Sequence, residues 1–346
     1  KLMEFEIGKI QTVVGTGENG YTGDGGPALE ATIGEAYGCS FDTEGNLFIC
    51  DGRTHTIRRI DKDTQVITTV AGTGEAGYTG DGGPATEATM DNIYSLTVDS
   101  NGDIYIVDRF NTAVRKVDAA TGKIATVAGT GGPGYGGDGG PGPQAQMREP
   151  NDCWLDGKGG LLIADIQDQR VRRLDLNTGI IDTFAGDGEK RRTGDGKLAT
   201  EASLMGPRAV CMDSKGNTYI AEREGNGVRK VDANGVISTF AGTGEPGYTG
   251  DGGPALTATW GAPKAMRCDN HDNLVVVDTE NNAVRRIDIK TGIVTTIAGG
   301  HQGGDGDGGD ATDAGLERPH GLGIDRQGNL FIADGINHRV RVVGMR

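Results

Sequence analysis

Six side chains that could bind or react with a small molecule recur along this sequence at intervals of 57, 57, 57, 56 and 56 residues. They are Tyr37, Tyr94, Asn151, Arg208, Lys264 and His320. A purely structural role would favour one residue type at all six positions, whereas these differ. The variety indicates a pocket shaped for a particular ligand, because loops and strand ends on a rigid scaffold are where such sites form. The alternative is a solvated rim on which residue types drift freely.

Four residues at or beside these positions could carry catalysis. His320 is the best general acid or base, because the ordinary pKa of imidazole lies near neutral pH. Arg208 and Lys264 could stabilise a developing oxyanion. Asp152, which follows Asn151, could orient a base. We therefore expect catalysis from His320, Lys264, Arg208 and Asp152, and substrate binding or proton donation from the remaining positions of the set.

Arginines that follow the predicted second strands add positive charge near these six positions. They are Arg53, Arg109 and Arg223, which we assign to substrate binding. Arginine forks bind carboxylate and phosphate groups. The predicted substrate is therefore a small, anionic, oxygen-rich molecule, although each arginine alone could instead be solvated or paired with an acid.

The elements that must position these residues are set by a second, more uniform repeat. Thr79-Gly80-Asp81-Gly82-Gly83-Pro84-Ala85 returns at 22–28 and 249–255 and in altered form three more times. Its aspartates are Asp24, Asp81, Asp138, Asp195, Asp251 and Asp307. A fixed period of this size indicates a repeat architecture. Because it is so uniform, we interpret the loop as scaffolding, with the aspartate bonding to loop amides.

Each repeat continues with a short alanine-rich segment, predicted to form one or two helical turns, and then with four strands. The third strands, such as Ala113-Val114-Arg115-Lys116-Val117, alternate apolar and basic residues, as a strand with one solvated face does. Six repeats of four antiparallel strands predict an all-β, six-bladed β-propeller. Residues 9–15 resemble a fourth strand and should complete the last blade. We expect a single domain over 1–346, with blades at about 34–72, 91–129, 148–186, 205–242, 261–299, and 318–343 plus 9–15.

The string Gly328-Asn329-Leu330-Phe331-Ile332-Ala333-Asp334, followed by Asn337-His338-Arg339-Val340, resembles the NHL repeat, and similar strings recur in all six units. His55 and His338 match the repeat's own pattern and are expected to be structural. Propellers similar to this one include protein-interaction modules, lactonases of the gluconolactonase and SMP-30 type, and a lyase that cleaves peptidyl hydroxyglycine. We favour a hydrolase or lyase, on account of the six varied positions. A non-catalytic ligand- or protein-binding scaffold is the alternative, because no complete catalytic motif is present.

The resemblance to lactonase-type propellers also implies a divalent cation in the channel. Carboxylate and amide oxygens that could hold Ca²⁺ are those of Asn151, Asp152, Glu222 and Asp278, although no fixed ligand spacing supports the set. The acidic run 305–310 lacks the closing glutamate of an EF-hand loop and is interpreted as a turn.

Composition limits the partners. A net charge of −15 makes nucleic acid and anionic membranes unlikely partners, and no apolar run is long enough to span a bilayer. We expect a small anionic molecule as ligand, with a protein partner on the looped face as a further option, and a monomer, because a closed propeller has no free edge. The basic loop Glu189-Lys190-Arg191-Arg192 either marks the side from which an anion approaches or is a solvated insertion.

The five cysteines all fall in predicted strands and are expected to be buried thiols: Cys39, Cys50, Cys153, Cys211 and Cys268. Four occupy related positions in different repeats, which we expect to lie too far apart to form disulfides. This favours a reducing, cytoplasmic compartment, while a removed leader peptide stays open.

Overall fold

The computed structural model describes residues 4–345 of the chain. The chain divides into two compact units. Unit 1 consists of Lys1–Thr126 and Ile297–Arg346, and unit 2 of Val127–Thr296.

Unit 1 contains three antiparallel sheets, here called blades 1, 2 and 6. Blade 1 consists of Ala36–Phe41, Leu47–Asp51, Thr56–Ile60 and Ile67–Ala71. Blade 2 consists of Ile93–Val98, Ile104–Asp108, Ala113–Val117 and Ile124–Ala128, and its last strand crosses the unit boundary. Blade 6 consists of Gly321–Ile324, Leu330–Asp334, Arg339–Val343 and Ile10–Val14. Ile10–Val14 pairs antiparallel with Arg339–Val343, so that the first strand of the chain completes the last blade.

Unit 2 contains blades 3, 4 and 5. Blade 3 consists of Pro150–Leu155, Gly160–Asp165, Arg170–Asp175 and Ile180–Ala185, and the short strand Gly140–Pro141 extends it. Blade 4 consists of Pro207–Met212, Thr218–Glu222, Gly227–Val231 and Ile237–Ala241. Blade 5 consists of Ala265–Cys268, Leu274–Asp278, Ala283–Ile287 and Val294–Gly299, and its last strand crosses the unit boundary. With the strands of unit 1, these confirm the predicted six-bladed β-propeller of four antiparallel strands per blade.

Single 3₁₀ turns occur at the places where the sequence predicted one or two helical turns. After the Gly-Asp-Gly loops they are Ala28–Glu30, Ala85–Glu87, Gly142–Gln144, Ala199–Glu201, Ala255–Thr257 and Ala311–Asp313; two more follow second strands, at Thr279–Asn281 and Gly335–Asn337. Among residues 4–345, no helix is long and apolar enough to cross a membrane.

A buried arginine in the third strand of every blade binds the aspartate of the Gly-Asp-Gly loop. The pairs are Arg58–Asp24, Arg115–Asp81, Arg172–Asp138, Arg229–Asp195, Arg285–Asp251 and Arg341–Asp307, with N···O distances of 2.5 to 2.9 Å and arginine side chains that are 0% exposed. The expectation that the basic residues of the third strand face solvent is therefore wrong for one arginine in each strand. An alternating pattern cannot distinguish a solvated cation from one that is buried with its counter-charge.

Blade 5 shows how completely such an arginine is used. Arg285 donates to Asp251 Oδ1 from Nε and Nη2, at 3.1 and 2.9 Å, and to the carbonyls of Thr249 and Thr259, at 2.8 and 2.7 Å. Its Nη1 also donates to the buried Asp278, at 3.3 Å. The second oxygen of Asp251 accepts from the backbone and the hydroxyl of Thr296 in the fourth strand. The loop aspartate thus joins the third strand to the fourth, instead of bonding mainly to loop amides as the sequence suggested.

The turn into the third strand links neighbouring blades within each unit. In unit 1, His55 Nδ1 accepts from the backbone N–H of Asn92, at 2.9 Å, and His338 Nδ1 lies 2.8 Å from the carbonyl oxygen of Gly34. In unit 2, the equivalent Gln169 accepts from the N–H of Gly206, at 2.8 Å. These contacts give His55 and His338 the structural role that the repeat pattern predicted.

Replacing a buried arginine should cost far more stability than replacing its neighbour in the same strand. We expect Arg285→Met to lower the free energy of unfolding by about 3–5 kcal/mol, because Asp278 and Asp251 lose their counter-charge. Arg286→Met, at a partly exposed position, should change it by less than about 0.5 kcal/mol. Urea denaturation of both variants tests this, and equal losses would contradict the assigned role.

One buried aspartate should give the protein a measurable pH dependence. Burial raises the pKa of Asp108 to about 6. The folded protein then binds this proton more tightly than the unfolded chain does, so the stability contribution is complete below the unfolded pKa and is lost as the pH rises through about 6. Between about pH 7 and pH 5, the wild type should gain about 1–2 kcal/mol relative to Asp108→Asn.

Thermal unfolding of both proteins across this pH range measures the effect. Asp118→Asn is the control, because hydrogen bonds from Thr121 lower the pKa of the partly exposed Asp118, so that it does not titrate in this window. An Asp108→Asn curve that runs parallel to the wild type would disprove the shift.

Candidate functional site

The six varied positions all lie at or directly before the start of a first strand, and four of them are β-bulge residues. In blades 1 to 4 the pairing of first and second strands shifts by one residue, and the extra residues are Tyr37, Tyr94, Asn151 and Arg208. Lys264 and His320 directly precede the first strands of blades 5 and 6, and their N–H groups donate to the second strands at 3.1 Å. β-Bulges re-aim side chains and often lie beside active sites. We call these six positions the bulge register.

In unit 1 the bulge register forms an aromatic cluster. The ring of His320 stacks on Tyr37, with centroids 4.6 Å apart and planes at 29°. Tyr94 meets Tyr37 edge-on at 4.9 Å and His320 at 6.3 Å. His320 and Tyr37 are each 8% exposed. The structure therefore brings together three of the predicted residues around a buried imidazole.

A Cβ atom on Gly52 would lie 2.1 Å from the ring of Tyr37, so only glycine leaves room for this ring. The phenol of Tyr37 donates to Glu35 Oε2, at 2.6 Å. Burial, together with this hydrogen bond, raises the pKa of Tyr37 far above its ordinary value, so the phenol stays protonated. Tyr37 is thus a fixed hydrogen-bond donor and ring platform.

Two predicted arginines lie in the same unit. The guanidinium of Arg109 lies 4.1 Å from the ring centroid of Tyr94, a cation–π contact, and 4.5 Å from that of Phe110. Arg53 is largely exposed and donates to Glu35 Oε1 at 2.9 Å. Unit 1 therefore combines an imidazole, two phenols and two guanidinium groups.

Unit 2 holds the other predicted residues. Arg208 donates to the backbone carbonyl of Asn151 at 3.4 Å, and both side chains are buried. Lys264 Nζ lies 3.8 Å from Glu280 Oε1, although Lys264 itself is only 6% exposed. Arg223 is partly exposed in the turn after the second strand of blade 4.

Asp152 is engaged in a buried ion pair. Its two oxygens accept from Nη1 and Nη2 of Arg267, at 2.9 and 3.0 Å, and Oδ2 also accepts from the N–H of Val210. Although burial opposes the charge, the ion pair raises the pKa of Arg267, which stays protonated. Arg267 also lies over the ring of Trp154, at 4.6 Å. This pair joins blades 3 and 5 and holds the carboxylate in a fixed position.

The carboxylates proposed for calcium already bind arginines. Glu222 accepts from Arg192 and Arg229, and Asp278 from Arg285, Asn281 and the N–H of Gly261. Within residues 4–345, no three His, Cys, Asp or Glu side chains are grouped so that they could hold a metal ion. The calcium site stays a prediction, and we derive no chemistry from it.

The charges of the basic loop in blade 4 are balanced locally. Lys190 pairs with Glu224 at 2.6 Å, Arg191 with Glu189 at 3.1 Å, and Arg192 with the buried Glu222 at 2.7 Å. The sequence left two interpretations of this loop, the approach side for an anion or a solvated insertion. The ion pairs favour the second, a loop without a ligand-binding role.

A cavity of about 400 Å³ lies elsewhere in unit 1. Its lining includes the apolar rings of Phe5, Phe41 and Phe331 and charged residues of both signs; these are Glu44, Lys62, Asp63, Asp325 and Arg326. Its lining, all from the described part of the chain, contains none of the predicted site residues. The assignment of the bulge register as a candidate site therefore depends on the chemistry of its side chains and not on this cavity.

Sequence reasoning missed Glu35 and Arg267. Arg267 could have been found, because it is charged where the other repeats carry Ser40, Thr97, Trp154, Cys211 and Gly323. The same disagreement among repeats that identified the bulge register identifies it too. Glu35 carried no comparable signal.

Comparisons with known sequences identify the repeat. The pattern of the teneurin NHL domain matches residues 186–249, and that of the NHL repeat matches residues 316–343. The chain is 27% identical to protein SUPPRESSOR OF QUENCHING 1, chloroplastic, of Arabidopsis thaliana, over 88% of this chain and 30% of that protein. It is 26% identical to human NHL repeat-containing protein 2, over 86% of this chain and 45% of that protein. The chain thus spans less than half the length of these relatives.

Solved structures share the fold at low identity. A Bacteroides thetaiotaomicron protein of unknown function has a TM-score of 0.70 and 18% identity, over 96% of this chain and 74% of its own. A gluconolactonase from Xanthomonas campestris has a TM-score of 0.60 and 13% identity, over 91% and 87%. Virginiamycin B lyase from Staphylococcus aureus, in a catalytically inactive histidine-to-alanine form with quinupristin, has a TM-score of 0.57 and 15% identity, over 98% and 99%.

The sheets and the matching structures define a six-bladed β-propeller. The repeat matches and the relatives make it a propeller of the NHL type, as its sequence resemblance predicted.

The ion pair of Asp152 gives a test of whether this residue is structural. We expect Asp152→Asn and Arg267→Met each to lower the unfolding free energy by about 3–5 kcal/mol, because each leaves the partner's charge or hydrogen-bonding groups buried and unmatched. The double variant should lose much less than the sum of the two. Urea denaturation of the three proteins measures the coupling.

Glu280→Gln is the control for this cycle. It removes an exposed partner 3.8 Å from Lys264 and should change stability by less than about 1 kcal/mol. If the loss of unfolding free energy in the double variant equals the sum of the losses in Asp152→Asn and Arg267→Met, the two residues do not stabilise the fold as a pair.

Proposed function

We propose that this protein is a hydrolase or lyase that acts on a small, anionic, oxygen-rich molecule, with His320 as its acid–base group. The observation that carries the proposal is the stacking of the buried His320 on Tyr37 within the bulge register, 4.6 Å between centroids. A general acid or base needs an imidazole held in one orientation and shielded from bulk water.

The neighbours of His320 suit a proton-transfer role. Tyr37 fixes the plane of the imidazole, and Tyr94 meets it edge-on. These ring contacts hold the imidazole in one orientation. In a lyase, His320 would take a proton from carbon next to a carbonyl group; in a hydrolase, it would take one from the attacking water.

Cations near the bulge register would select an anion. In unit 1 these are Arg109, over Tyr94, and Arg53, held by Glu35. For the residues of unit 2, oxyanion stabilisation by Arg208 and Lys264 and substrate contacts of Asn151 and Arg223 stay sequence-based predictions. Asp152 acts on the site by holding Arg267, so we assign it a positioning role.

Proteins with this fold support the reaction class. The gluconolactonase and the virginiamycin B lyase both share it, and the lyase is catalytically inactive when a histidine is replaced by alanine. At 13% and 15% identity these likenesses concern the fold alone, so they motivate the probes below and do not name a substrate.

A second candidate is a non-catalytic binding domain within a longer protein. It is favoured by the relatives, of which the chain covers 30% and 45%, and by the internal pairing of Glu35 with Arg53 and of Asp152 with Arg267. Such a domain would bind a ligand or a protein without turning it over.

Alanine replacement of His320 tests the catalytic proposal. We expect the wild type to hydrolyse gluconolactone, followed by acid release, or to cleave quinupristin, followed by mass spectrometry. His320→Ala should reduce the rate about 10²-fold or more, because it removes the acid–base group.

The matched control is His271→Ala, which makes the same change at an exposed turn of blade 5. It should retain the full rate. Equal activity of His320→Ala and the wild type would refute the assignment of His320, while no turnover of either probe by the wild type would favour the binding domain.

A further inference from the structure

Two cysteines of neighbouring blades lie in contact in unit 2. Sγ of Cys211, in the first strand of blade 4, is 3.6 Å from Sγ of Cys268, in the first strand of blade 5. Both are free thiols in this structure. The expectation that cysteines of different repeats lie too far apart to pair is therefore wrong for this pair, because the first strands of adjacent blades pack on each other.

Contacts on both sides hold the two strands at this distance. On one side, Arg267 Nη1 donates to the carbonyl of Val210, at 3.4 Å. On the other, the N–H and hydroxyl of Ser214 donate to the two oxygens of Asp272, at 2.8 and 2.5 Å. The thiols therefore face each other between two fixed points, and a disulfide requires the sulfur atoms to approach to about 2.05 Å by local adjustment of the side chains.

We propose that Cys211 and Cys268 are a redox-modification site that closes to a disulfide joining blades 4 and 5. This inference rests on the position of the two thiols and not on the proposed catalytic function. The other cysteines, Cys39, Cys50 and Cys153, are buried and serve as internal controls.

The different burial of the two thiols sets the order of the reaction. Cys268 is partly exposed, whereas Cys211 is fully buried. With oxidised glutathione as oxidant, the Cys268 thiolate attacks one sulfur of the glutathione disulfide, forming a mixed disulfide and releasing one glutathione. The Cys211 thiolate then attacks Sγ of Cys268, forming the protein disulfide and releasing the second glutathione. Two electrons pass from the cysteines to glutathione, and the two protons end on the released thiols.

The surroundings make this exchange slow. The hydrogen bond to Cys211, and then burial, raise the pKa of Cys268, and Asp213 and Asp272 add to the effect. Because the thiolate is the attacking form, we expect the reaction to need an excess of oxidised glutathione and mildly alkaline pH.

The disulfide would fix part of the candidate site. Cys268 directly follows Arg267, which binds Asp152, and the same segment of blade 5 begins after Lys264. Joining this strand to the strand of Cys211 ties both cations to blade 4, where Arg208 lies. Oxidation would therefore restrict movement of the cations in unit 2.

Peptide mapping of the intact chain tests the proposal. After treatment with oxidised glutathione, alkylation under denaturing conditions and proteolysis, we expect one disulfide-linked peptide pair that contains Cys211 and Cys268. The three buried control cysteines, Cys39, Cys50 and Cys153, should stay reduced during oxidation and should therefore all be alkylated. The mass of the protein before alkylation should fall by two hydrogen atoms.

Thermal unfolding provides a second readout. The oxidised wild type should unfold several degrees higher than the reduced protein, because the bond closes a long chain segment. Cys211→Ala and Cys268→Ala should show no such rise, whatever their own stability. Five alkylated cysteines after oxidation, a stable glutathione adduct at Cys268 without closure, a bond to another cysteine, or a lowered unfolding temperature would each overturn the proposal.

Discussion

The structure depends on one interaction, the ion pair between a buried third-strand arginine and the aspartate of the Gly-Asp-Gly loop. An arginine that is 0% exposed must have its charge and its donors matched, and in blade 5 two carboxylates and two backbone carbonyls do this for Arg285. The loop cannot shift without leaving these groups unpaired. This explains why the loop is so uniform in sequence: its spacing from the arginine is 34 residues in every blade for which the hydrogen bond is described.

Blade 4 shows that the constraint is charge balance and not residue identity. Four other loops place a tyrosine beside the buried arginine, whereas this loop has Arg192; the tyrosines are Tyr21, Tyr78, Tyr135 and Tyr248. The added cation is matched by Glu222, which stands where the other second strands end in aspartate and reaches both Arg192 and Arg229. The basic loop, which suggested an approach side for an anion, thus contains a scaffold residue, Arg192, whose charge is balanced by the glutamate at position 222.

The period and the strand pattern were enough to predict six blades and the closing N-terminal strand. They could not show that Arg58 or Arg285 is buried, because alternation of apolar and basic residues normally indicates a solvated face. The varied register correctly selected Tyr37, Tyr94 and His320 as neighbours. The contact of Asp152 with Arg267 was not predicted, because the two residues are 115 positions apart and the sequence of a single repeat does not indicate contacts with another blade.

The contacts of the charged residues separate those that hold the fold from those suited to chemistry. A group that takes part in proton transfer must change its charge during the reaction. Asp152 and Glu222 are each buried against guanidinium groups, and their removal would leave those cations without a counter-charge. His320 contacts the aromatic rings of Tyr37 and Tyr94, which fix its orientation. The side chains of unit 1 described here thus form an aromatic and imidazole cluster, whereas the buried carboxylates of unit 2 hold cations in position.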